Sequence, residues 1–213
     1  MMKIKNLLFD LGGVIMDIEK QRCVDAFVRL GLPDTNAFFG EYGQTGPFGM
    51  LEEGLLSVDG FHRQVRALIP TDVTDSQIDN AFNAFLIGIP IERLRRLEDL
   101  RRRGFKIYLL SNTNPVMWHS KIADEFKKDG KSIDAYFDGI SVSFEAKALK
   151  PSPEIFEYTI GTLGIVPGET VFFDDSEDNL RGAERFGFHT AHVKPGHEFY
   201  HLIEEMNLLH CHC

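Results

Sequence analysis

Five short apolar runs, each stopping at a polar or glycine-rich cluster, constrain this chain more than any other feature. They are Ile4 to Phe9, Lys106 to Leu110, Gly139 to Ser143, Val171 to Phe173 and Thr190 to Val193. Their apolar residues are largely continuous rather than alternating, the pattern of strands buried on both faces. Helical patterns lie between the later runs. Ile91, Leu94, Leu97 and Leu100 recur at helical spacing, and the pattern stops at Gly104. Asn114-Pro115, and Ser152-Pro153-Glu154 before Ile155 to Leu163, each set a capping residue ahead of a proline at the first helical position. A further helix opens at Ser176 and ends near Gly187. Strand alternating with helix predicts a parallel sheet with right-handed crossovers. The expected fold class is therefore α/β, a three-layer Rossmann-like parallel sheet.

Residues 15–89 break the alternation. No strand run stands out there, and the helical patterns are Cys23 to Leu30, Ser57 to Leu68 and Asp75 to Leu86, with a glycine-rich stretch from Gly40 to Gly54. This segment reads as a helical insertion after the first strand. The predicted boundaries are 1–14 and 90–213 for the α/β core, and 15–89 for the helical domain. Phe38, Phe39, Phe48 and Phe61 are expected to form the insertion's own core, or in part to face a substrate.

The 213 residues suffice to bury a sizeable core. The formal charge of −9, from 23 basic and 32 acidic residues, disfavours nucleic acid and anionic membranes as partners. A phosphate-bearing ligand would need positive charge supplied locally. No apolar run is long enough for a membrane span, and the opening apolar run meets Asp10 too soon for a signal peptide. Three cysteines make no disulfide framework, so a cytoplasmic location is expected.

Ligands of open parallel sheets bind beyond the carboxyl ends of the strands. There the sequence places Asp10-Leu11-Gly12-Gly13-Val14, Ser111-Asn112-Thr113-Asn114, Lys150-Pro151 and Asp174-Asp175-Ser176. A carboxylate can attack phosphorus and form an acyl phosphate. Clustered carboxylates repel one another, and a divalent cation relieves the repulsion. Oxygen-only ligands favour magnesium. A hydroxyl, backbone N–H groups and an ammonium can hold the phosphoryl oxygens, and phosphoryl transfer asks mainly for that.

In order and spacing, these four segments resemble the four motifs of the haloacid dehalogenase superfamily, with the insertion where that family carries a type 1 helical cap. The resemblance implies that Asp10 is the nucleophile and a metal ligand. It implies that Ser111 and Asn112, with Gly12, bind the phosphoryl group and that Lys150 neutralises nucleophile and phosphate. Asp175, then Asp174, and the Gly12 carbonyl would complete the magnesium site. Within the superfamily, Phe-Asp-Leu-Gly-Gly-Val, Ser-Asn-Thr-Asn, Phe-Phe-Asp-Asp and Glu53-Gly54-Leu55-Leu56-Ser57 are similar to bacterial α-D-glucose-1-phosphate phosphatases. The implied activity is phosphate monoester hydrolysis through an aspartyl-phosphate, on a small phosphorylated metabolite such as a sugar 1-phosphate.

Phosphatases of this family usually carry a second aspartate two residues after the nucleophile, as acid and base. Here that position is Gly12. Three readings stay open. The substrate is an ester with a good leaving group, as in a sugar 1-phosphate, with Glu52 or Glu53 as candidates to activate water. The chain is a metal-free 2-haloacid dehalogenase, a reading that Asp174-Asp175 opposes. Or the fold serves as a non-catalytic binding module.

Other residues have plainer expectations. Asp178 and Asn179 would cap a helix or orient metal-bound water. Trp118 and His119 would pack or lie on the surface. Arg93, Arg95, Arg96, Arg101, Arg102 and Arg103 would form a solvated helix face. His210 to Cys213 carries soft ligand types, yet lies in a terminal tail.

Overall fold

The computed structural model describes residues 4–33 and 46–210. Phe38, Phe39, Cys211, His212 and Cys213 fall outside the described residues, as does the side chain of His210.

The five apolar runs become the five strands of one parallel sheet. β1 is Asn6–Phe9, β4 Lys106–Ser111, β5 Gly139–Val142, β6 Thr170–Asp174 and β7 His189–His192. Their order is β5-β4-β1-β6-β7, and every pair is parallel. Phe9 pairs in register with both Leu109 and Phe173, so the chemistry-bearing strand ends line up along one edge.

Side chains alternate between the sheet faces. Leu7, Phe9, Ile107, Leu109, Val171 and Phe173 enter one apolar cluster. Leu8, Leu110 and Phe172 enter the other. Helix α5 (Ile91–Arg102) covers the first face through Leu94, Leu97 and Leu100. Helices α9 (Pro153–Leu163) and α10 (Glu177–Glu184) cover the second through Ile155, Phe156, Leu180 and Ala183. Three layers result. Pro115 and Pro153 begin their helices as expected. Asn114 caps by accepting from the Met117 N–H, whereas the Ser152 side chain makes no capping bond.

Between β1 and α5 the chain forms α1 (Lys20–Leu30), α2 (Gly46–Glu52), α3 (Val58–Leu68) and α4 (Asp75–Asn83). Each expected helix is present, and Thr74 with Gln77 forms a capping box that starts α4. Phe48 and Phe61 both pack on Phe82, with ring centroids 4.0 and 5.2 Å apart. These rings belong to the same apolar cluster as the first sheet face rather than to a separate core.

Two features depart from expectation. The insertion contains strands: β2 (Asp17–Ile18) pairs antiparallel with β3 (Leu86–Gly88), making a ribbon where the chain leaves and re-enters the core. Strands of two and three residues are too short to show a period in sequence. Arg93, expected on a solvated face, is buried. Its guanidinium donates to both carboxylate oxygens of Glu198 (2.8 and 3.0 Å), to Asp17 (2.7 Å) and to the Ile15 carbonyl (3.1 Å). The other ribbon strand is tied as well: buried Glu125 accepts from the Ile89 N–H at 2.8 Å. After β4 come α6 (Pro115–Met117), a π-helical turn Trp118–Ile122 and α7 (Ala123–Phe126), which carries Glu125. After β5 comes the short α8 (Ser143–Ala146), and α11 (Phe199–Glu205) follows β7.

Candidate active site

Asp10 follows β1 directly, and its backbone N–H still donates to the Phe173 carbonyl of β6 at 2.8 Å. The chain then turns sharply. The Leu11 carbonyl accepts from the N–H groups of Ile15 and Met16, and Gly13 N–H donates to Met16. The Gly12 carbonyl is left out of these bonds. Gly13 has φ 73°, and a Cβ there would lie 2.3 Å from Asp175 Oδ2. The first and last motifs touch at a point where only glycine fits.

Lys150 is the electrostatic centre. It is 1% exposed, and its ammonium lies 2.8 Å from Asp10 Oδ1 and 2.7 Å from Asp174 Oδ2. Leu11 N–H also donates to Asp10 Oδ1, at 2.7 Å. Asp10 Oδ2 has no hydrogen-bond partner among the described residues. Fully buried Asp174 is engaged at both oxygens, because Oδ2 meets Lys150 and Oδ1 accepts from Ser176 N–H (2.8 Å) and Asn179 Nδ2 (3.0 Å). Asp175 is the exposed acid of the cluster.

Burial pushes the Asp10 carboxyl up to about 7; Lys150 pulls it down, and Asp174 and Asp175 push it further up. Burial and Asp174 also raise Asp175, against Lys150. Three carboxylates thus face one ammonium. Oxygen atoms of Asp10, Asp174 and Asp175 all lie within 4.8 Å of one another, a hard-oxygen donor set that fits a divalent cation such as magnesium.

Ser111 ends β4 at the same edge. Its hydroxyl has only a 3.4 Å contact with the Asn112 carbonyl, too long to commit it. The Asn112 side chain faces the loop that carries Lys150. Its Oδ1 accepts from the Lys150 N–H at 2.8 Å, and its Nδ2 donates to the Lys150 carbonyl at 3.1 Å. The side-chain amide is spent on holding the Lys150 backbone, which leaves only its main chain for a phosphate. Asn179 holds Asp174, while Asp178 pairs with Arg181. Trp118 packs on the apolar cluster, and exposed His119 meets the Phe144 ring edge-on.

Ser143 drew no notice in the sequence. Its hydroxyl accepts from Thr113 N–H (3.0 Å) and lies within donating reach of the carbonyls of Thr113 (2.9 Å) and Glu52 (2.7 Å). Lys147 donates to the Gly54 carbonyl at 2.6 Å. The end of α2 is thereby fastened over the ends of β4 and β5. Thr113 Oγ1 and Asn114 Nδ2, beside this junction, are buried without a partner among the described residues. A serine after a strand is too common to have signalled this.

The comparisons agree with one another. The haloacid dehalogenase-like hydrolase family profile matches residues 4–187. The D-ribitol-5-phosphate phosphatase of Bacteroides thetaiotaomicron is 37% identical over 193 residues, 91% of this chain and 93% of that protein. A haloacid dehalogenase-family enzyme of Bacteroides thetaiotaomicron, solved with magnesium and inorganic phosphate, superposes with TM-score 0.87 at 37% identity, covering 93% of this chain and 98% of its own. A predicted hydrolase of the same family from Porphyromonas gingivalis gives TM-score 0.87 at 31% identity, with 96% and 98% covered. The chain belongs to the haloacid dehalogenase-like hydrolase family and is an enzyme of its phosphatase type.

Proposed function

We propose that this chain hydrolyses the phosphate monoester of a small sugar or sugar alcohol, with magnesium, through an aspartyl-phosphate at Asp10. The observation that carries the proposal is the bridge of Lys150 between Asp10 and Asp174, with Asp175 alongside. In this reading Asp10 Oδ1 is held by Lys150 and Leu11 N–H, and the unclaimed Oδ2 attacks phosphorus. The bond from phosphorus to the ester oxygen breaks, and the alcohol departs. Water then cleaves the acyl phosphate and frees Asp10. Lys150 and the Ser111 hydroxyl, with backbone N–H groups at Gly12 and Asn112, hold the phosphoryl oxygens. Bound magnesium would supply charge neutralisation between phosphate and acids, with Asp10, Asp175, Asp174 and the Gly12 carbonyl as its protein ligands.

In the same reading, residues 15–89 act as a cap over an α/β core of residues 1–14 and 90–213. The bonds from Ser143 and Lys147 to the end of α2 support this, because they seat the insertion above the strand ends. Its closure would exclude water during transfer.

The relative's D-ribitol 5-phosphate is a primary-alcohol ester, which supports the sugar and sugar-alcohol class. Gly12 favours sugar 1-phosphates within it, because an anomeric oxygen leaves more readily. A panel containing α-glucose 1-phosphate, glucose 6-phosphate and D-ribitol 5-phosphate, with magnesium and with EDTA, tests both levels. Magnesium-dependent phosphate release that Asp10→Asn abolishes is the expected result. No release from any ester would sink the phosphatase reading; equal rates on the 1- and 6-phosphates would remove only the anomeric preference. The acid pair Asp174-Asp175 disfavours a metal-free dehalogenase, whose carboxylate substrate would face uncompensated negative charge.

A further inference from the structure

Cleaving an ordinary alkyl phosphate calls for a proton on the departing oxygen, and the position after the nucleophile that usually supplies it is empty. The structure shows that it is also tight. A Cβ on Gly12 would sit 3.3 Å from Ile18 Cδ1 and 3.6 Å from Ile18 Cγ2, so Ile18 would have to yield by a few tenths of an ångström to admit even the first atom of a side chain. Asp10, Asp174, Asp175 and Lys150 form one charge cluster and are committed to it. An acid has to come from elsewhere along this edge.

Glu52 meets the requirement of place. It is the last residue of α2, and its carbonyl lies 2.7 Å from the Ser143 hydroxyl. That hydroxyl also accepts from the N–H of Thr113, two residues past Ser111. β4, which delivers Ser111, is the direct neighbour of β1, which delivers Asp10. The end of α2 is thereby seated on the loop that follows Ser111, at the edge where β1 delivers Asp10. Its anchorage is stiff. Gly54, two residues on, is clasped by Lys147, and a Cβ there would collide with the Phe144 carbonyl at 2.2 Å.

The Glu52 side chain is also uncommitted. It is half-buried and has no hydrogen-bond or ion-pair partner among the described residues. Burial pushes its carboxyl up to about 8, so it holds a proton at neutral pH. Cys23 of α1 lies close enough to feel its charge, with Lys20 opposing. Even a half-buried carboxyl without a partner is costly to maintain, and such groups gather where chemistry uses them.

We infer that Glu52, from the insertion, is the general acid and base of this hydrolysis in place of an aspartate at position 12. The inference rests on the phosphatase reading above. As Asp10 Oδ2 bonds to phosphorus and the phosphorus–oxygen bond breaks, the Glu52 proton passes to the leaving oxygen, and the alcohol departs neutral. The Glu52 carboxylate then takes a proton from the water that attacks the acyl phosphate, which restores the protonated acid and free Asp10. No other reactant is needed.

Leaving-group dependence tests this. The value of kcat/KM is measured for wild type, Glu52→Gln and Glu52→Asp on p-nitrophenyl phosphate and on D-ribitol 5-phosphate, with magnesium. Nitrophenolate leaves without a proton. Glu52→Gln is expected to lose about 10²–10⁴-fold on the ribitol ester and less than about threefold on the nitrophenyl ester. Glu52→Asp should recover part of the ribitol rate. Equal losses on both esters would mean that Glu52 only shapes the site, and no loss on either would mean that it takes no part; each overturns the inference. If Glu52→Gln does not fold, Glu52→Asp carries the same comparison. Loss of both activities in Asp10→Asn, run in parallel, keeps the phosphatase reading separately testable.

Discussion

The side-chain amide of Asn112 and the main chain of Lys150 exchange two hydrogen bonds, at 2.8 and 3.1 Å. The loop after β4 thus fixes where the Lys150 side chain begins its path to Asp10. Asn112→Ala removes both bonds and should cost about 1–3 kcal/mol of stability. On the proposed mechanism it should also lower kcat about 10–100-fold through misplacement of the ammonium. Thermal melts and steady-state kinetics with p-nitrophenyl phosphate check this. An unchanged kcat would show that Lys150 finds its place without Asn112.

Lys150→Met leaves Asp10 and Asp174 buried together without their cation. Breaking a buried pair from one side costs about 3–5 kcal/mol. Urea unfolding should show a loss of that order without metal. Magnesium should restore part of it, because a cation at the acid cluster would replace the missing charge. A loss that magnesium leaves unaltered would argue against metal binding by these acids.

Glu52 gives stability a pH dependence. The folded chain keeps this proton to a pH of about 8, against an ordinary glutamate value of 4.5. Between those values folding takes up a proton, so its contribution to stability falls as pH rises and levels off above about 8. Glu52→Gln should therefore gain stability relative to wild type between pH 5 and pH 8, by about 1–3 kcal/mol after allowance for its partial exposure. Asp10 shifts the same way in metal-free protein and cancels in the difference. Paired denaturation curves at the two pH values measure it, and a pH-independent difference would place the carboxyl in water.

Gly12→Asp should not restore the usual acid. The new side chain meets Ile18, and overpacking of this kind costs about 1–3 kcal/mol. The single variant should melt lower and hydrolyse alkyl phosphates no faster. Adding Ile18→Ala should recover the melting temperature. A gain in rate from Gly12→Asp alone would show that Ile18 yields easily.

The sheet was legible because five apolar runs sit at α/β spacing and because Gly104, Asn114-Pro115 and Pro153 punctuate the helices. The strand ends carried the chemistry-bearing residues, so Asp10, Ser111, Lys150, Asp174 and Asp175 could be singled out before any coordinates. Contacts between distant side chains were not legible. The resemblance implies a phosphate role for Asn112, but the pairing of its side chain with Lys150 depends on a loop-to-loop distance. Arg93 looked like one of several surface arginines, and only the approach of Asp17 and Glu198 separates it from Arg95 or Arg96. The β2–β3 ribbon is too short to leave a period. Ser143 and Asn179 act through geometry that no local spacing encodes.

The two clamps at the ribbon have a consequence for how such chains diversify. Arg93 grips Asp17 on the outgoing strand, and Glu125 grips Ile89 just past the returning one, where a Cβ on Gly88 would crowd Glu125 Oε2 at 2.8 Å. Both grips are made by residues of the core on the stem of the insertion, outside its four helices. A graft that keeps Asp17, Gly88, Ile89, Arg93, Glu125 and Glu198 keeps these bonds of the seat, whatever helices it carries between. The stem works as a socket whose bonds do not depend on the helices beyond it, whereas an exchange of α2 would remove Glu52 and the bonds to Ser143 and Lys147.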